Sequence, residues 1–324
     1  MKRSRWGLMA GAAALAALVL GAYQVRASDP VLIAVTAIVD HPALNAVRDG
    51  VRDELEAEGY QGDGLNFVYE SAQGNPSTAA QIARKFVGEN PAVIVPISTP
   101  SAQAVVAATQ DIPVVFTAVT DPLDAKLVSN MQKPGGNVTG MSDLAPVGKQ
   151  LALIREILPN AKTIGMPYNP GEANGVALMN LAKKEGAALG FTVIEAPAVK
   201  SSDVMTAAQS LIGKVDAIYV STDNQIVSAF ASVVKVGVDN QIPVFAGDTD
   251  SVSRGAIAAI GFDYYDVGRQ TGKIVVRVLK GEKPGDIAVQ GVDTVQLFVN
   301  PGAAKAMGVT IPDAVMQRAK QVVQ

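Results

Sequence analysis

The sequence predicts an α/β protein with two similarly wound lobes and a cleft between them, and three observations carry that prediction. From Val31 onward, short β-branched apolar runs alternate with longer segments of helical period, the pattern of parallel strands covered by helices on both faces. A strand, polar loop, helix and Ile-Pro-Val strand occur twice. The first copy runs from Ile97-Ser98-Thr99-Pro100-Ser101 to Ile112-Pro113-Val114 and Thr120-Asp121; the second runs from Val220-Ser221-Thr222-Asp223-Asn224 to Ile242-Pro243-Val244 and Thr249-Asp250. Finally, 324 residues with 48% apolar and 18% charged side chains suffice for two cores of ordinary size.

Taken in order, the chain opens with Lys2, Arg3 and Arg5, an apolar stretch from Trp6 to Ala22, and small residues at Val25 and Ala27. This is the layout of a cleaved export signal over residues 1–27, leading to a periplasmic protein; the alternative is a retained anchor helix, short for a full span. Strands are expected at Val31–Val39, Leu65–Glu70, Ala92–Ser98 and Pro113–Val119, then at Lys162–Tyr168, Phe191–Ala196 and Asp216–Ser221. Further strands are expected at Pro243–Ala246, Ala256–Phe262 and Val295–Asn300. Amphipathic helices fall at Ala43–Glu58, Ser77–Glu89 and Asn174–Leu189. Turn-rich Lys133-Pro134-Gly135-Gly136-Asn137 marks a first crossing between lobes, with others near Gly247–Gly255 and Gly281–Gly285. Lobe one then comprises 28–140 with about 251–282, and lobe two 141–250 with about 283–324. Three crossings make a hinge, and such clefts close by hinge motion.

Composition excludes several classes. Without its first 27 residues the chain keeps 23 of its 27 basic residues against 30 acidic ones, a net charge of −7, which disfavours nucleic acid. There is no cysteine, so thiol nucleophiles, thiolate metal sites, disulfides and a lipid-modified Cys are all absent. His41 is the single histidine, and Gly-x-Ser-x-Gly does not occur. Gly268-Arg269-Gln270-Thr271-Gly272-Lys273 has three residues between its glycines where a phosphate loop needs four, and it reads as helix interior. Gly62-x-Gly64 lacks the third glycine of a dinucleotide loop. These residues favour no enzyme, no metal and no cofactor.

What remains is a set of polar loops at strand ends, where open α/β sheets bind ligands. They are Asp40-His41-Pro42, Ser98-Thr99-Pro100-Ser101, Thr120-Asp121-Pro122, Tyr168-Asn169-Pro170-Gly171-Glu172-Ala173-Asn174, Thr222-Asp223-Asn224 and Gly247-Asp248-Thr249-Asp250. Pro100 near a helix start leaves free amides that a hydroxyl caps or a carboxylate occupies. Asp223 and Asp248 could hold an ammonium. Taken singly, each of these residues is as well explained as an ordinary helix cap. His41 reads as an exposed or capping residue, with a ligand contact as the alternative, Tyr168 as a stacking platform or a lid on its lobe, Phe262 as core, and Asn137-Val138-Thr139 as a turn.

At these loops the sequence resembles the periplasmic substrate-binding component of ABC importers, tryptophan/tyrosine type. The resemblance rests on Ala72-Gln73-Gly74-Asn75, Thr99-Pro100-Ser101-Ala102-Gln103, Phe116-Thr117-Ala118-Val119-Thr120-Asp121-Pro122, Pro134–Gly140, Tyr168–Asn174, Gly247–Val252, Gly261–Tyr265 and Val299-Asn300. It implies a type I periplasmic-binding fold: two Rossmann-like lobes with parallel sheets, a three-crossing hinge and a ligand clamped between the lobes. It also implies a monomeric receptor that delivers an amino acid, preferably aromatic, to an inner-membrane ABC permease. A sugar, nucleoside or aromatic acid, or signalling through a membrane sensor, are the alternatives. Carried over, the ligand contacts are Thr99, Ser101, Thr117 and Thr120 from lobe one, and Tyr168, Glu172, Asn174, Asp223 and Asp248 from lobe two. Asn45 stands where the family often has Asp, and Gly175 where it often has Ser, so an acidic or hydroxyl contact would be lost if either touches ligand.

Overall fold

A computed structural model describes residues 30–292 and 294–323; the expected export signal lies outside them. The first sheet contains β1 (Val31–Ala37), β2 (Leu65–Ser71), β3 (Val93–Ile97), β4 (Val114–Val119) and β5 (Val138–Ser142). The second holds β6 (Thr163–Tyr168), β7 (Thr192–Pro197), β8 (Ala217–Val220), β9 (Val244–Ala246) and β10 (Ala258–Gly261). Of the last strands, β11 (Gln290–Gly291) joins the first sheet, and β12 (Gln296–Val299) and β13 (Gln321–Val322) join the second. Strand order is β11-β5-β4-β3-β1-β2 in one sheet and β13-β12-β10-β9-β8-β6-β7 in the other. Pairing is parallel throughout except between β10 and β12. The α/β class and the twofold winding are as the sequence predicts.

Local chemistry sets the helix ends. Asn75 accepts hydrogen bonds from the amides of Ser77 and Thr78 ahead of Pro76–Glu89, and Asp263 does the same for Tyr265 and Asp266 ahead of Tyr264–Leu279. The expected helices occupy Pro42–Ala57, Pro76–Glu89 and Ala173–Ala188.

The crossings differ from those read in the sequence. The Gly-Pro turn at 133–137 leads into β5, a buried first-sheet strand that sequence reading left out. Its sequence, Val-Thr-Gly-Met-Ser, lacks a β-branched run, and Gly140 is there because a Cβ would lie 2.0 Å from the Phe116 carbonyl oxygen. The first crossing therefore follows Ser142. β10 belongs to the second sheet, not to lobe one, so the second crossing is at Phe262-Asp263. β11 pairs with β5, so the third falls after Gly291.

The returning helix Tyr264–Leu279 lies against Pro42–Ala57 on the first sheet. Val47, Val51 and Leu55 pack there with Val267, Ile274 and Val275. A Cβ on Gly268 would lie 2.2 Å from the Val47 carbonyl oxygen, and one on Gly50 2.2 Å from that of Tyr265. The glycines that imitate a phosphate loop are thus the contact surface of a helix crossing. Phe262 is buried in the same core, as expected. Helices Pro76–Glu89 and Thr99–Ala108 cover the opposite face, around Phe86 and Phe116. The second lobe has its own core around Tyr219, Phe230 and Phe245.

Candidate functional site

The carboxyl ends of both sheets face one another across a cavity whose free space in this closed form is small, about 20 Å³. The loop after β1 supplies His41, Ala43 and Leu44, and β4 with its loop supplies Ala118 and Thr120. From lobe two come Asn174, Thr222, Asn224, Val227 and Asp248, and two crossings add Asp143 and Tyr264. The backbone is strained at this edge: Ser98 and Ala118 have φ of 81° and 50°, left-handed values that cost non-glycine residues about 1–3 kcal/mol.

Several polar atoms here are buried without a hydrogen-bonding partner: His41 Nδ1, Asp143 Oδ1, Asn174 Oδ1 and Thr222 Oγ1. Buried polar atoms are ordinarily paired. Asp143 Oδ2 accepts from the Tyr264 hydroxyl at 2.7 Å, and burial pushes the Asp143 carboxyl up to about 6. Asp248 is raised by burial as well, and its oxygens accept from the Ser251 amide and hydroxyl, both at 2.8 Å. Burial and then the charge of Arg254 pull His41 down to about 3, leaving a neutral imidazole. Arg254 donates from Nη2 to the Val227 carbonyl at 2.9 Å, while its Nη1 is buried and unpartnered. The lining contains two carboxylates and no Lys or Arg.

Of the nine residues the resemblance singles out, Thr120, Asn174 and Asp248 line this cavity. Thr99 and Ser101 are buried at the start of their helix, and neither they nor Ser98 use the hydroxyl as a cap. Thr117 turns the other way, its Oγ1 2.8 Å from that of Thr271 on the returning helix. Tyr168 donates its hydroxyl to Glu195 at 2.5 Å and packs over its own lobe. Asp223 takes the amides of Gln225 and Ile226 on one oxygen and that of Asn169 on the other, fastening two loops together. Burial, then the charge of Glu172, raises Asp223 to about 7. Glu172 borders an outer groove and accepts from Asn169 Nδ2 at 3.1 Å and Asn224 Nδ2 at 2.6 Å, so it orients a cavity residue without lining the cavity.

His41 takes the second of its two readings: it is buried, makes no cap bond and lines the cavity, so the exposed or capping reading is corrected. Asp143 was hidden by the missed β5. Thr222 and Asn224 stood in a polar loop already noted but were passed over for Asp223, whose carboxylate is consumed by the backbone. Gly175 is a close approach: a Cβ there would lie 2.6 Å from Asp223 Oδ2 and 2.7 Å from the Asn169 carbonyl oxygen. Asn45, one turn beyond His41, has a buried Oδ1 without a partner.

Residues 32–323 match the family described as ABC transporter substrate binding protein. Over 280 residues the chain is 41% identical to a tyrosine-binding protein of Clostridioides difficile (strain R20291), covering 85% of this chain and 80% of that one. An ABC domain from Streptococcus pneumonia, solved in complex with L-Trp, superposes with a TM-score of 0.88 at 36% identity, over 91% of this chain and 100% of that one. The ligand-free, open structure of a substrate binding protein with adhesive properties from Clostridium difficile gives 0.67 at 38% identity, over 90% and 99%.

Proposed function

The chain belongs to the family of ABC transporter substrate-binding proteins, and on that premise we propose that it is a receptor that closes on an aromatic amino acid and presents it to an ABC importer. Its fold is that of the type I periplasmic-binding proteins. The observation that carries the ligand class is the cavity lining: two carboxylates, unpartnered acceptors on Asp143 and Asn174, no basic side chain, and apolar walls from Leu44, Ala118 and Val227. Asp143 Oδ1 takes the α-ammonium, because Tyr264 holds its other oxygen and Asp248 is already engaged by Ser251. Thr222 and neutral His41 offer donors to the α-carboxylate. Each buried charge of the ligand must find such a partner, or desolvation would prevent binding.

Two relatives support the aromatic reading, one called tyrosine-binding and one holding L-Trp. At nearly equal identity, the likeness to the L-Trp complex exceeds that to the open structure, in keeping with lobes shut over the cavity. Capture requires only that the ligand bind the shut state better than the open one, and no covalent step. The receptor works as a monomer outside the cytoplasmic membrane and hands its ligand to a permease. Among the described residues no helix is long and apolar enough to cross a membrane.

The test uses a feature of the sequence. The single tryptophan is Trp6, so a chain starting at Ser28 has none, and the emission of added L-Trp reports on the ligand alone. After unfolding and refolding to strip carried-over ligand, saturable one-site enhancement with L-Trp, competed by L-Tyr or L-Phe, is expected. No saturable signal or calorimetric heat with any of the three, together with binding of a sugar or nucleoside, would keep the receptor and discard the ligand class.

A further inference from the structure

Away from the three crossings, a buried side chain joins the lobes. Gln225 of the second lobe, 4% exposed, donates from Nε2 to the Gly74 carbonyl oxygen of the first at 3.1 Å. Both ends of this bond are firmly held. The Gln73-Gly74 turn has φ of 53° and 76°, its Gly74 amide donates to the Ile38 carbonyl, and Gln73 Nε2 donates to Asp40 Oδ2 at 2.9 Å. Asp40 also accepts from the Tyr69 hydroxyl at 2.7 Å, and its neighbour His41 lines the cavity. On the other side the Gln225 amide is fixed by Asp223 Oδ1 at 3.1 Å, and its neighbour Asn224 lines the cavity from a side chain held by Glu172. Gln225 and Gly74 themselves line only the outer groove. The fit is close: a Cβ on Gly74 would lie 2.9 Å from Gln225 Nε2.

We propose that Gln225 is a positioning residue for ligand capture, whose bond to Gly74 latches the lobes shut and sets affinity without touching the ligand. The inference rests on the reading of the chain as a closing receptor. Donor and acceptor sit on different lobes, so hinge opening separates them, and only the shut form gains the bond. The apparent dissociation constant scales inversely with the share of competent, shut receptor. A net intramolecular hydrogen bond then corresponds to about a 2- to 10-fold change in affinity.

The chain has no cysteine, so Ser77→Cys with Ser202→Cys gives two unique labelling sites, both exposed, one on each side of the groove. Pulsed electron paramagnetic resonance between them, with L-Trp and L-Tyr titrated, reads closure directly. Gln225→Ala is expected to raise Kd about 2- to 10-fold, by the same factor for both amino acids. The short distance should be unchanged but less populated below saturation, and the ligand-free melting temperature unchanged. Gly74→Ala, which drives a Cβ into the Gln225 amide, should raise Kd equally for both amino acids by a second route, while its φ of 76° strains the side chain and lowers the melting temperature, and the double variant should lose less affinity than the product of the two. Unequal factors for the two ligands would put Gln225 in contact with ligand and overturn the latch, as would unchanged Kd and distance distributions. A wild type that binds neither amino acid would instead overturn the ligand reading.

Discussion

Replacing Asp143 by Asn separates binding from stability, because the two should move in opposite directions. In the ligand-free protein the Asp143 carboxyl is raised by burial from 3.8 to about 6. A folded-state value above the unfolded one means that protonation favours folding: stability is gained as pH falls from about 6 towards 3.8 and is missing above 6. With one pKa unit equal to about 1.4 kcal/mol, the ionised side chain costs the folded state on the order of 3 kcal/mol at neutral pH. Asparagine keeps an acceptor for the Tyr264 hydroxyl without the buried charge. The variant should therefore melt about 2–6 °C higher at pH 7.5 without ligand. Binding should suffer in return, since losing the partner of a buried ammonium costs about 2–5 kcal/mol, or about 30- to several-thousand-fold in Kd. Differential scanning calorimetry and L-Trp titration of the same preparation measure both effects. Wild-type affinity in Asp143→Asn would refute the ammonium assignment, and a lower ligand-free melting temperature would refute the buried-charge argument.

Other consequences follow from the same geometry. Because the ammonium needs an ionised Asp143, L-Trp affinity should fall about tenfold per pH unit below 6. Asp250 is also raised to about 6, so Asp143→Asn should make the limb shallower, leaving the part Asp250 contributes, in a calorimetric pH series. Gly175→Ser sets a Cβ against Asp223 Oδ2 and the Asn169 carbonyl oxygen. It should destabilise by about 1–3 kcal/mol in urea unfolding, and an unchanged midpoint would show that the loop yields. Gly50→Ala should loosen the crossing of Pro42–Ala57 with the returning helix and lower the melting temperature by about 2–8 °C, with L-Trp affinity altered far less than by Asp143→Asn.

The fold was legible where pattern and period agree. Strands β1, β3, β4 and β8 are β-branched apolar runs, and the helices beside them carry the amphipathic period that packs on them. β5 escaped because Gly140 and Ser142 break its apolar run, and the reason for Gly140 is a carbonyl on another strand. With β5 went the first crossing and Asp143 just after it. The site was legible as loops rather than as residues. Every polar loop singled out lies at the strand ends, yet within each loop local spacing cannot tell which side chain the backbone consumes. Asp223 and Asn224 are adjacent, and the first is spent on three amides while the second faces the cavity. Thr117 and Ala118 divide likewise between the returning helix and the ligand side.

The returning helix also fixes an order of events in the life of the chain. Val47, Val51 and Leu55 await Val267, Ile274 and Val275, which are synthesised more than two hundred residues later, while the second lobe needs little from outside its own span beyond β12 and β13. A nascent chain must therefore leave part of that face of its first sheet, and the Val47–Leu55 side of its first helix, uncovered until nearly all of it has been made. That interval is when a chaperone would find the most apolar surface to hold.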